Sequence, residues 1–197
     1  MAITKSNASS PISPIIPAQT KHTFIVEHLD PELEAWQLLE YTTISRECTS
    51  TSPPSRFLLS GLPAPGTNIG LASVEQTSTS VDALVASAGI PKERVCLLDP
   101  KGEKDICPED GDDFDVFVFG GILGDDPPRD RTAELRVKGF KGRRLGKEQL
   151  TTDTAARVTR IVVQEKSMTV FYYRASRSAM LTTNHSPARS SILYRPP

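Results

Sequence analysis

The chain has 197 residues and a formal net charge of −1, so it is long enough for one domain with a real core, and its overall charge favours neither nucleic acid nor anionic lipid. Its cysteines, Cys48, Cys96 and Cys107, show no C-x-x-C spacing, which argues against a disulfide framework or a structural zinc site. No apolar run approaches the roughly 20 residues of a membrane span, and the N-terminus makes a poor targeting peptide, so we expect a cytoplasmic protein.

Ordered structure is expected to begin after residues 1–21, a segment rich in Ser and Pro that predicts a disordered tail. HTFIVEH (22–28) then predicts a short strand. The next segment carries a helix start, with Asp30 as the N-cap and Pro31 as the first helical residue. One face of this helix is marked by residues at steps of three to five, namely Leu33, Trp36, Tyr41, Ile44 and Cys48.

A second strand and a second helix follow. RFLLSGLP (56–63) predicts the strand and the turn behind it. Residues 66–80 are small and polar, so they form either a loop or a weak helix start. SVDALVASAGIP predicts a helix with Ser80 at its beginning and Gly89 at its end.

The last predicted elements are two buried strands and a helix. RVCLLDP (94–100) and FDVFVFGG (114–121) are short apolar runs with turn residues behind them, which is typical of strands buried on both faces. TTDTAARVTRIVVQ (151–164) predicts a helix capped by its first or second threonine, with Ala155, Val158 and Val162 on one side. Strands that alternate with helices indicate an α/β fold with a mostly parallel sheet, whose ligands gather at the carboxyl ends of the strands.

Three glycines follow the fourth of these strands, at Gly120, Gly121 and Gly124. They match neither the dinucleotide-binding pattern nor a P-loop. One interpretation is a strained turn that needs positive φ angles. The other is a turn whose missing side chains let a flat ligand such as adenine lie against the backbone.

Charged residues surround this turn. Asp125 and Asp130 flank two prolines and are candidates for a functional role, although Arg129 and Arg131 offer them ordinary ion pairs. Upstream, residues 109–113 are strongly acidic and are expected to form a solvated loop.

Two further segments carry candidate residues. Glu27 and His28 directly follow the first strand and are either structural or functional. The segment 143–155, RRLGKEQLTTDTA, places a basic pair and a glycine before a helix start, which suits either an anionic ligand or ordinary capping. Serine–histidine hydrolysis and metal binding find no support in the spacing of the histidines.

Taken together, FIVEH, VCLLDP, FDVFVFGGILGDDPPRDRT and RRLGKEQLTTDTAARVTRIVV, which span residues 24–163, resemble the SPOUT-superfamily protein arginine N-methyltransferases that modify a small-subunit ribosomal protein. The resemblance implies S-adenosylmethionine (SAM) as methyl donor. It also implies an α/β fold with a mostly parallel sheet, flanking helices and a deep C-terminal trefoil knot, a topology that no strand–helix pattern would suggest. The expected SPOUT domain covers residues 22–167, between disordered tails at 1–21 and 168–197.

In this family the loops of the knot hold the cofactor largely through backbone groups. Carried over by position, the implied cofactor-binding residues are Leu98, Asp99, Pro100, Phe119, Gly120, Gly121, Ile122, Leu123, Gly124, Arg144, Leu145, Gly146, Gln149, Thr151, Thr152 and Thr154.

The chemistry that the resemblance implies requires carboxylates. A guanidinium stays protonated and is a poor nucleophile, so acidic side chains must pair with it, orient it and accept the released proton. Asp125 and Glu27 are the leading candidates for catalysis, and Asp130 is the third. No metal is implied.

The chain departs from the resemblance after about residue 167. Relatives continue with an ordered, acidic and aromatic segment, whereas this chain becomes basic, with four arginines and no acidic residue from residue 171 onwards. We therefore keep two alternatives: a SPOUT-type RNA methyltransferase and a SAM-binding protein that the altered C-terminus leaves inactive. The expected partner is a ribosomal protein rather than membrane or nucleic acid, and the chain acts as a monomer or as a knot-mediated homodimer.

Overall fold

The computed structural model describes residues 20–64, 66, 69–121, 130, 132–146 and 150–168. Their centre is one sheet of six strands with order β2-β1-β5-β3-β6-β4, in which all paired neighbours are parallel. The strands are β1 (Thr23–Glu27), β2 (Arg56–Ser60), β3 (Val95–Leu98), β4 (Lys104–Asp105), β5 (Val116–Gly120) and β6 (Lys141–Arg144). The predicted parallel sheet is thus confirmed.

The register brings the carboxyl ends of the central strands together. Leu98 at the end of β3 pairs with Phe119 of β5 on one side and with Arg143 of β6 on the other. Glu27 at the end of β1 pairs with Gly120. The segments that follow these four strands therefore start at one edge of the sheet.

Helices cover the sheet on both faces. They are α1 (Ala35–Ser50), α2 (Val81–Ser87), α3 (Asp110–Asp113), α4 (Thr132–Arg136) and α5 (Thr152–Gln164), with 3-10 turns at Ile69–Leu71 and Lys92–Arg94. Because side chains alternate along a strand, Phe24 packs into the core under α1 and α5, whereas Ile25 packs into the core beneath α2 and α4. Full burial of one such side chain contributes about 1.5–3 kcal/mol.

Most predicted elements are confirmed. Strands β1, β2, β3 and β5 lie where the apolar runs predicted them, and Ser80 and Thr151 occupy the N-cap positions of α2 and α5 without a side-chain capping hydrogen bond. Gly89 follows α2 at a φ of +66°, which suits a helix end. The segment 66–80 contributes a 3-10 turn and a bridge between Leu59 and Gln76.

The predicted start of α1 is wrong. The helix begins at Ala35, not at Pro31, because Glu34 is the N-cap residue and forms a capping box with Gln37. The Gln37 side-chain oxygen accepts from the Glu34 backbone N–H at 2.7 Å, and the Gln37 amide donates to Asp30 at 2.8 Å. Asp30 therefore supports the segment before the helix and does not cap it.

The acidic segment 109–113 also differs from the prediction, since it contains α3 and is not a solvated loop. Asp110 is 1% exposed, and its carboxylate accepts from Arg143 Nε at 2.8 Å. A buried ion pair of this kind depends on β6, whose basic sequence did not predict a strand.

Within the described part of the chain, no helix is long and apolar enough to cross a membrane. The predicted tails and the domain limits remain predictions, because residues 1–19 and 169–197 lie outside the described residues.

Candidate functional site

The predicted cofactor segments meet at the carboxyl edge of the sheet. Leu98 ends β3 and Asp99 follows it, Gly120 ends β5 and Gly121 follows it, and Arg144 ends β6. These three strands are direct neighbours in the order β5-β3-β6. The third segment continues through Leu145, whose side chain packs against the same core as Leu98 and Phe119.

Gly121 is required by a close approach to α1. Its N–H donates to the Glu27 carbonyl at 2.9 Å. A Cβ at this position would lie 3.1 Å from Tyr41 Oη and 3.2 Å from the Glu27 carbonyl oxygen, both closer than ordinary contact. Its φ is not positive, so of the two interpretations a turn strained at this residue does not apply.

Tyr41 and His28 form a buried pair beneath Gly121. Tyr41 Oη and His28 Nδ1 share a hydrogen bond of 3.1 Å, and both side chains are almost fully buried. Burial raises the pKa of the Tyr41 hydroxyl, so it stays protonated at every physiological pH. The pair fixes the position of α1 against the turn that ends β5.

Asp99, a predicted cofactor residue, is held by several donors although it is 3% exposed. Its carboxylate accepts from Arg136 Nε at 2.5 Å, from Arg136 Nη2 at 2.9 Å and from the Lys101 backbone N–H at 3.0 Å. Burial by itself would raise the pKa of Asp99, but these donors outweigh burial and hold it below its usual value. Asp99 is therefore an ionised group that fixes the turn after β3.

Asp130, the third catalytic candidate, lies beside Asp99. Its carboxylate is 2.5 Å from Lys101 Nζ and 3.1 Å from Arg136 Nη2, and it accepts from the Thr132 hydroxyl at 3.0 Å. Hydrogen bonds from Arg136 and then Lys101 keep the pKa of Asp130 well below its usual range. Two cations already match its charge.

Glu27, a leading catalytic candidate, is 5% exposed and faces the α2 side of the sheet, as Ile25 does. One carboxylate oxygen accepts from the Val81 backbone N–H at 2.9 Å, at the start of α2, and from the Ser60 hydroxyl. Burial raises the pKa of Glu27, and these two hydrogen bonds oppose that shift. The structure thus gives Glu27 a helix-capping contact that its sequence position did not reveal.

The third cofactor segment surrounds the start of α5. Gly146 has a φ of +84°, which favours glycine. Thr151 Oγ1 donates to Thr154 Oγ1 at 2.7 Å, while Thr152 is 4% exposed. Arg144 Nε donates to Asp105 at 2.6 Å, so its charge is paired at the edge strand β4.

Several predicted residues remain untested by geometry. Outside the described residues lie the leading catalytic candidate Asp125 and the predicted cofactor residues Ile122, Leu123, Gly124 and Gln149. Pro100 is described and exposed, in the turn that Asp99 fixes.

Two carboxylates that sequence reasoning missed meet close to the third cofactor segment. Glu40 of α1 contacts Asp153 of α5, and the Asp153 backbone N–H donates to the Glu40 carboxylate. Burial and then the Asp153 charge raise the pKa of Glu40 to about 7. The sequence carries a weak signal for this pair. Glu40 stands next to Tyr41 of the predicted apolar face of α1, and Asp153 lies in the predicted start of the last helix. No sequence pattern predicts that the two side chains meet.

A hollow of about 500 Å³ adjoins Asp99 on the α4 side of the sheet. Its lining includes Leu97, Phe140, Gly142 and Arg136. Of the predicted site residues that the structure describes, Asp99 alone lines it, so this hollow is not the space between the three predicted segments. No group of three or more potential metal ligands occurs among the described residues.

Sequence comparison finds similarity to one family. Residues 23–176 match the family described as protein arginine N-methyltransferase SFM1-like. Protein arginine N-methyltransferase SFM1 of Saccharomyces cerevisiae is 38% identical over 156 residues, which are 73% of this chain and 71% of the yeast protein.

Comparison with solved structures supports the same relationship. The crystal structure of the yeast arginine methyltransferase SFM1 complexed with SAM has a TM-score of 0.64 at 36% identity, over 75% of this chain and 70% of that chain. Full-length spTrm10 in complex with SAH has a TM-score of 0.61 at 10% identity, over 83% and 98%, which supports the fold alone. The expected SPOUT fold is confirmed, and the trefoil knot stays a prediction.

Proposed function

The chain belongs to the SFM1-like family of protein arginine N-methyltransferases, and from this premise we propose that it binds SAM and methylates an arginine side chain of a protein. The observation that carries the proposal is the register of β3, in which Leu98 pairs with both Phe119 and Arg143. Because of this register, the three predicted cofactor segments leave the sheet side by side.

The described residues fit a nucleoside cofactor at this edge. Gly121 allows its turn to pack directly on Tyr41 and Glu27, and Gly146 takes a backbone conformation that other residues rarely adopt. Neither glycine covers its backbone groups with a side chain, which suits binding through backbone groups. The hydroxyls of Thr151 and Thr154 add donors and acceptors at the start of α5.

SAM supplies an electrophilic methyl carbon when it is bound. The protein must hold the target guanidinium so that one nitrogen faces that carbon, and a base must accept the proton that the nitrogen releases. Positioning of this kind lowers a barrier by roughly 7–11 kcal/mol.

We keep Asp125, Glu27 and Asp130 as the proposed catalytic carboxylates, in that order. Burial raises the pKa of Glu27, which makes its carboxylate a stronger base. Asp130 has the weakest support, because Lys101 and Arg136 already bind it.

The proposed substrate is a protein of the small ribosomal subunit, and the proposed compartment is the cytoplasm. The sequence resemblance supports both proposals, and it also supports the trefoil knot. An RNA substrate has less support, because the basic strand β6 is largely occupied within the fold. Arg143 binds Asp110, Arg144 binds Asp105, and Lys141 Nζ lies 5.9 Å from the centre of the Phe114 ring.

Incubation with labelled SAM and small ribosomal subunits that lack the modification tests the proposal. We expect label in a ribosomal protein, and acid hydrolysis should return it as methylarginine. Label in ribosomal RNA, together with RNA binding that weakens steeply with salt, would replace the proposal with RNA methylation.

The inactive alternative needs two separate measurements, SAM affinity and turnover. SAM binding without label in any product would show that the chain binds the cofactor but does not catalyse. A chain that ends at residue 176, the limit of the family match, would then show whether the remaining basic residues block activity.

A further inference from the structure

We propose that an exposed surface of α1 and α5, formed by Trp36, Leu39, Glu40 and Asp153, docks the arginine-bearing segment of the protein substrate. This inference rests on the function proposed above and adds to it the surface that receives the substrate. We refer to these four residues as the α1–α5 surface.

The apolar part of the surface is unusually exposed. Trp36 is 39% and Leu39 is 69% exposed, and they account for two of the three large hydrophobic side chains that stand out from the described residues. Trp36 and Glu40 are four residues apart in α1, so they lie on the same side of the helix one turn apart. An indole next to a carboxylate is well suited to a guanidinium, which stacks on aromatic rings while it forms ion pairs.

The sequence around Trp36 and Leu39 carries charge of one sign. Between His22 and Ser45 the sequence contains no lysine or arginine, whereas its acidic residues are Glu27, Asp30, Glu32, Glu34 and Glu40. Glu32 and Glu34 are exposed. The complementary partner is a basic polypeptide, and a nucleic acid would be repelled.

Glu40 and Asp153 meet near Arg157, whose charge acts on Asp153 but whose hydrogen bonds go to another carboxylate. The nearest basic side chain along α5 is Arg157, and it binds Glu47 at 2.8 and 2.9 Å. Among the ion pairs of the described residues, none includes Glu40 or Asp153. Burial and the neighbouring charge raise the pKa of Glu40 to about 7, so a bound guanidinium would relieve the repulsion between the two carboxylates.

The surface also borders the proposed cofactor turns. Tyr41, the residue after Glu40, packs against Gly121, and Asp153 lies between Thr152 and Thr154. An arginine held by Glu40 and Asp153 is therefore adjacent to the start of α5, which belongs to the third segment assigned to the cofactor.

Co-sedimentation with unmethylated small ribosomal subunits tests this docking surface and does not depend on turnover. We expect Trp36→Ala and the double variant Glu40→Gln/Asp153→Asn each to weaken binding at least fivefold, and Trp36→Ala to keep its SAM affinity within twofold of the wild type. Glu93→Gln and Val137→Ser, which change an exposed acid and an exposed apolar residue elsewhere, serve as matched controls and should bind like the wild type.

Each result decides the inference. If the wild type binds and the α1–α5 variants bind equally well, the docking surface is wrong and the proposed function stands. If the wild type neither binds nor methylates the subunits, the proposed substrate fails and the inference fails with it. Binding that appears only after removal of residues 177–197 would show that the chain's own basic segment covers the surface. Dissociation of a dimer by Trp36→Ala would assign the surface to a second copy of the chain. Either result overturns substrate docking. Circular dichroism of each variant identifies any that fails to fold. Glu40→Asp keeps the negative charge that Glu40→Gln removes, so it should bind the subunits like the wild type.

Discussion

Arg136 binds the buried carboxylate of Asp99 through two hydrogen bonds, with its Nε 2.5 Å from Oδ2 and its Nη2 2.9 Å from Oδ1. The same guanidinium reaches Asp130 at 3.1 Å. One side chain of α4 thus connects a predicted cofactor residue with a predicted catalytic residue. The turn after β3 is fixed by this contact, so the cofactor and substrate sides of the proposed site depend on one arginine.

We expect Arg136→Ala to lower the free energy of unfolding by about 2–3 kcal/mol, because it leaves a buried carboxylate without its main partner. The pKa of Asp99 lies below its usual value in the wild type, so the ion pair stabilises the fold above pH 4 and this contribution disappears as the pH falls through the folded pKa. Urea unfolding should therefore give a larger difference between variant and wild type at pH 7 than at pH 3. Lys138→Ala removes a more exposed ion pair, with Asp82, and should cost less than about 1 kcal/mol. Equal losses at both pH values would contradict this account of Asp99.

Variants of Glu27 distinguish a structural role of this residue from a catalytic one. Glu27→Ala leaves the buried Val81 N–H without its acceptor and leaves the Ser60 hydroxyl only the Val26 carbonyl, at 3.3 Å, so we expect a loss of about 1–3 kcal/mol in unfolding free energy. Glu27→Gln keeps an acceptor oxygen and should lose less. If Glu27 also accepts the substrate proton, the Gln variant should bind SAM normally and turn over at least about 100-fold more slowly.

Turnover of Glu27→Gln that follows only its folded fraction would remove Glu27 from the mechanism and leave it as the cap of α2. Ser60→Ala is the control, since it removes one hydrogen bond to the same carboxylate and leaves the charge in place.

The sheet could be predicted because its central strands are apolar along their whole length. VFVFG of β5 and TFIVE of β1 are buried at every position, which is the pattern that a covered parallel strand requires. β6 reads KGRR and could not be recognised, because its basic side chains are accommodated by distant partners. Arg143 extends to Asp110, 33 residues away in sequence, and no local pattern specifies that pair.

The candidate site divides in the same way. Its backbone segments could be placed from turn residues at the ends of predicted strands, since glycine and capping threonines act locally. The partners of the carboxylates in the site could not be predicted from the sequence. Glu27 reaches the start of α2, 54 residues along the chain, and Glu40 meets Asp153 only because α1 and α5 pack together.

Gly121 and Tyr41 should be coupled in cofactor binding. Gly121→Ala places a Cβ 3.1 Å from Tyr41 Oη, and displacement of either group should weaken SAM binding about tenfold, with an overpacking cost of about 1–3 kcal/mol. Tyr41→Phe removes the hydroxyl but keeps the ring, so alone it should cost about 1 kcal/mol of stability through the lost His28 hydrogen bond. The double variant should recover part of the SAM affinity that Gly121→Ala loses.

Isothermal titration of the four proteins measures this coupling. Gly142→Ala is the matched control, because a Cβ there meets its nearest neighbour at an ordinary 3.4 Å. Strictly additive losses would show that Tyr41 does not restrain the Gly121 turn, and that the Glu27 carbonyl alone makes the glycine necessary.

The Glu40–Asp153 pair predicts an unusual pH dependence of stability. The pKa of Glu40 is raised from 4.5 to about 7, so the folded chain binds a proton there that the unfolded chain has released between these values. Wild-type stability therefore falls as the pH rises through 7. Glu40→Gln mimics the protonated form and still offers an oxygen to the Asp153 N–H, so it should match the wild type at pH 4 and exceed it by about 0.5–1 kcal/mol at pH 8.

Thermal unfolding of both proteins across this range, at one ionic strength, checks the sign. The groups that face Glu40 are Asp153 from α5 and, one turn further, the Arg157–Glu47 pair, so Glu47→Gln is the appropriate control. It removes a paired carboxylate and should destabilise the chain slightly at pH 8. A Glu40→Gln variant that is less stable than the wild type at pH 8 would mean that a cation already neutralises Glu40, and the α1–α5 surface would then lack the unpaired charge on which substrate docking depends.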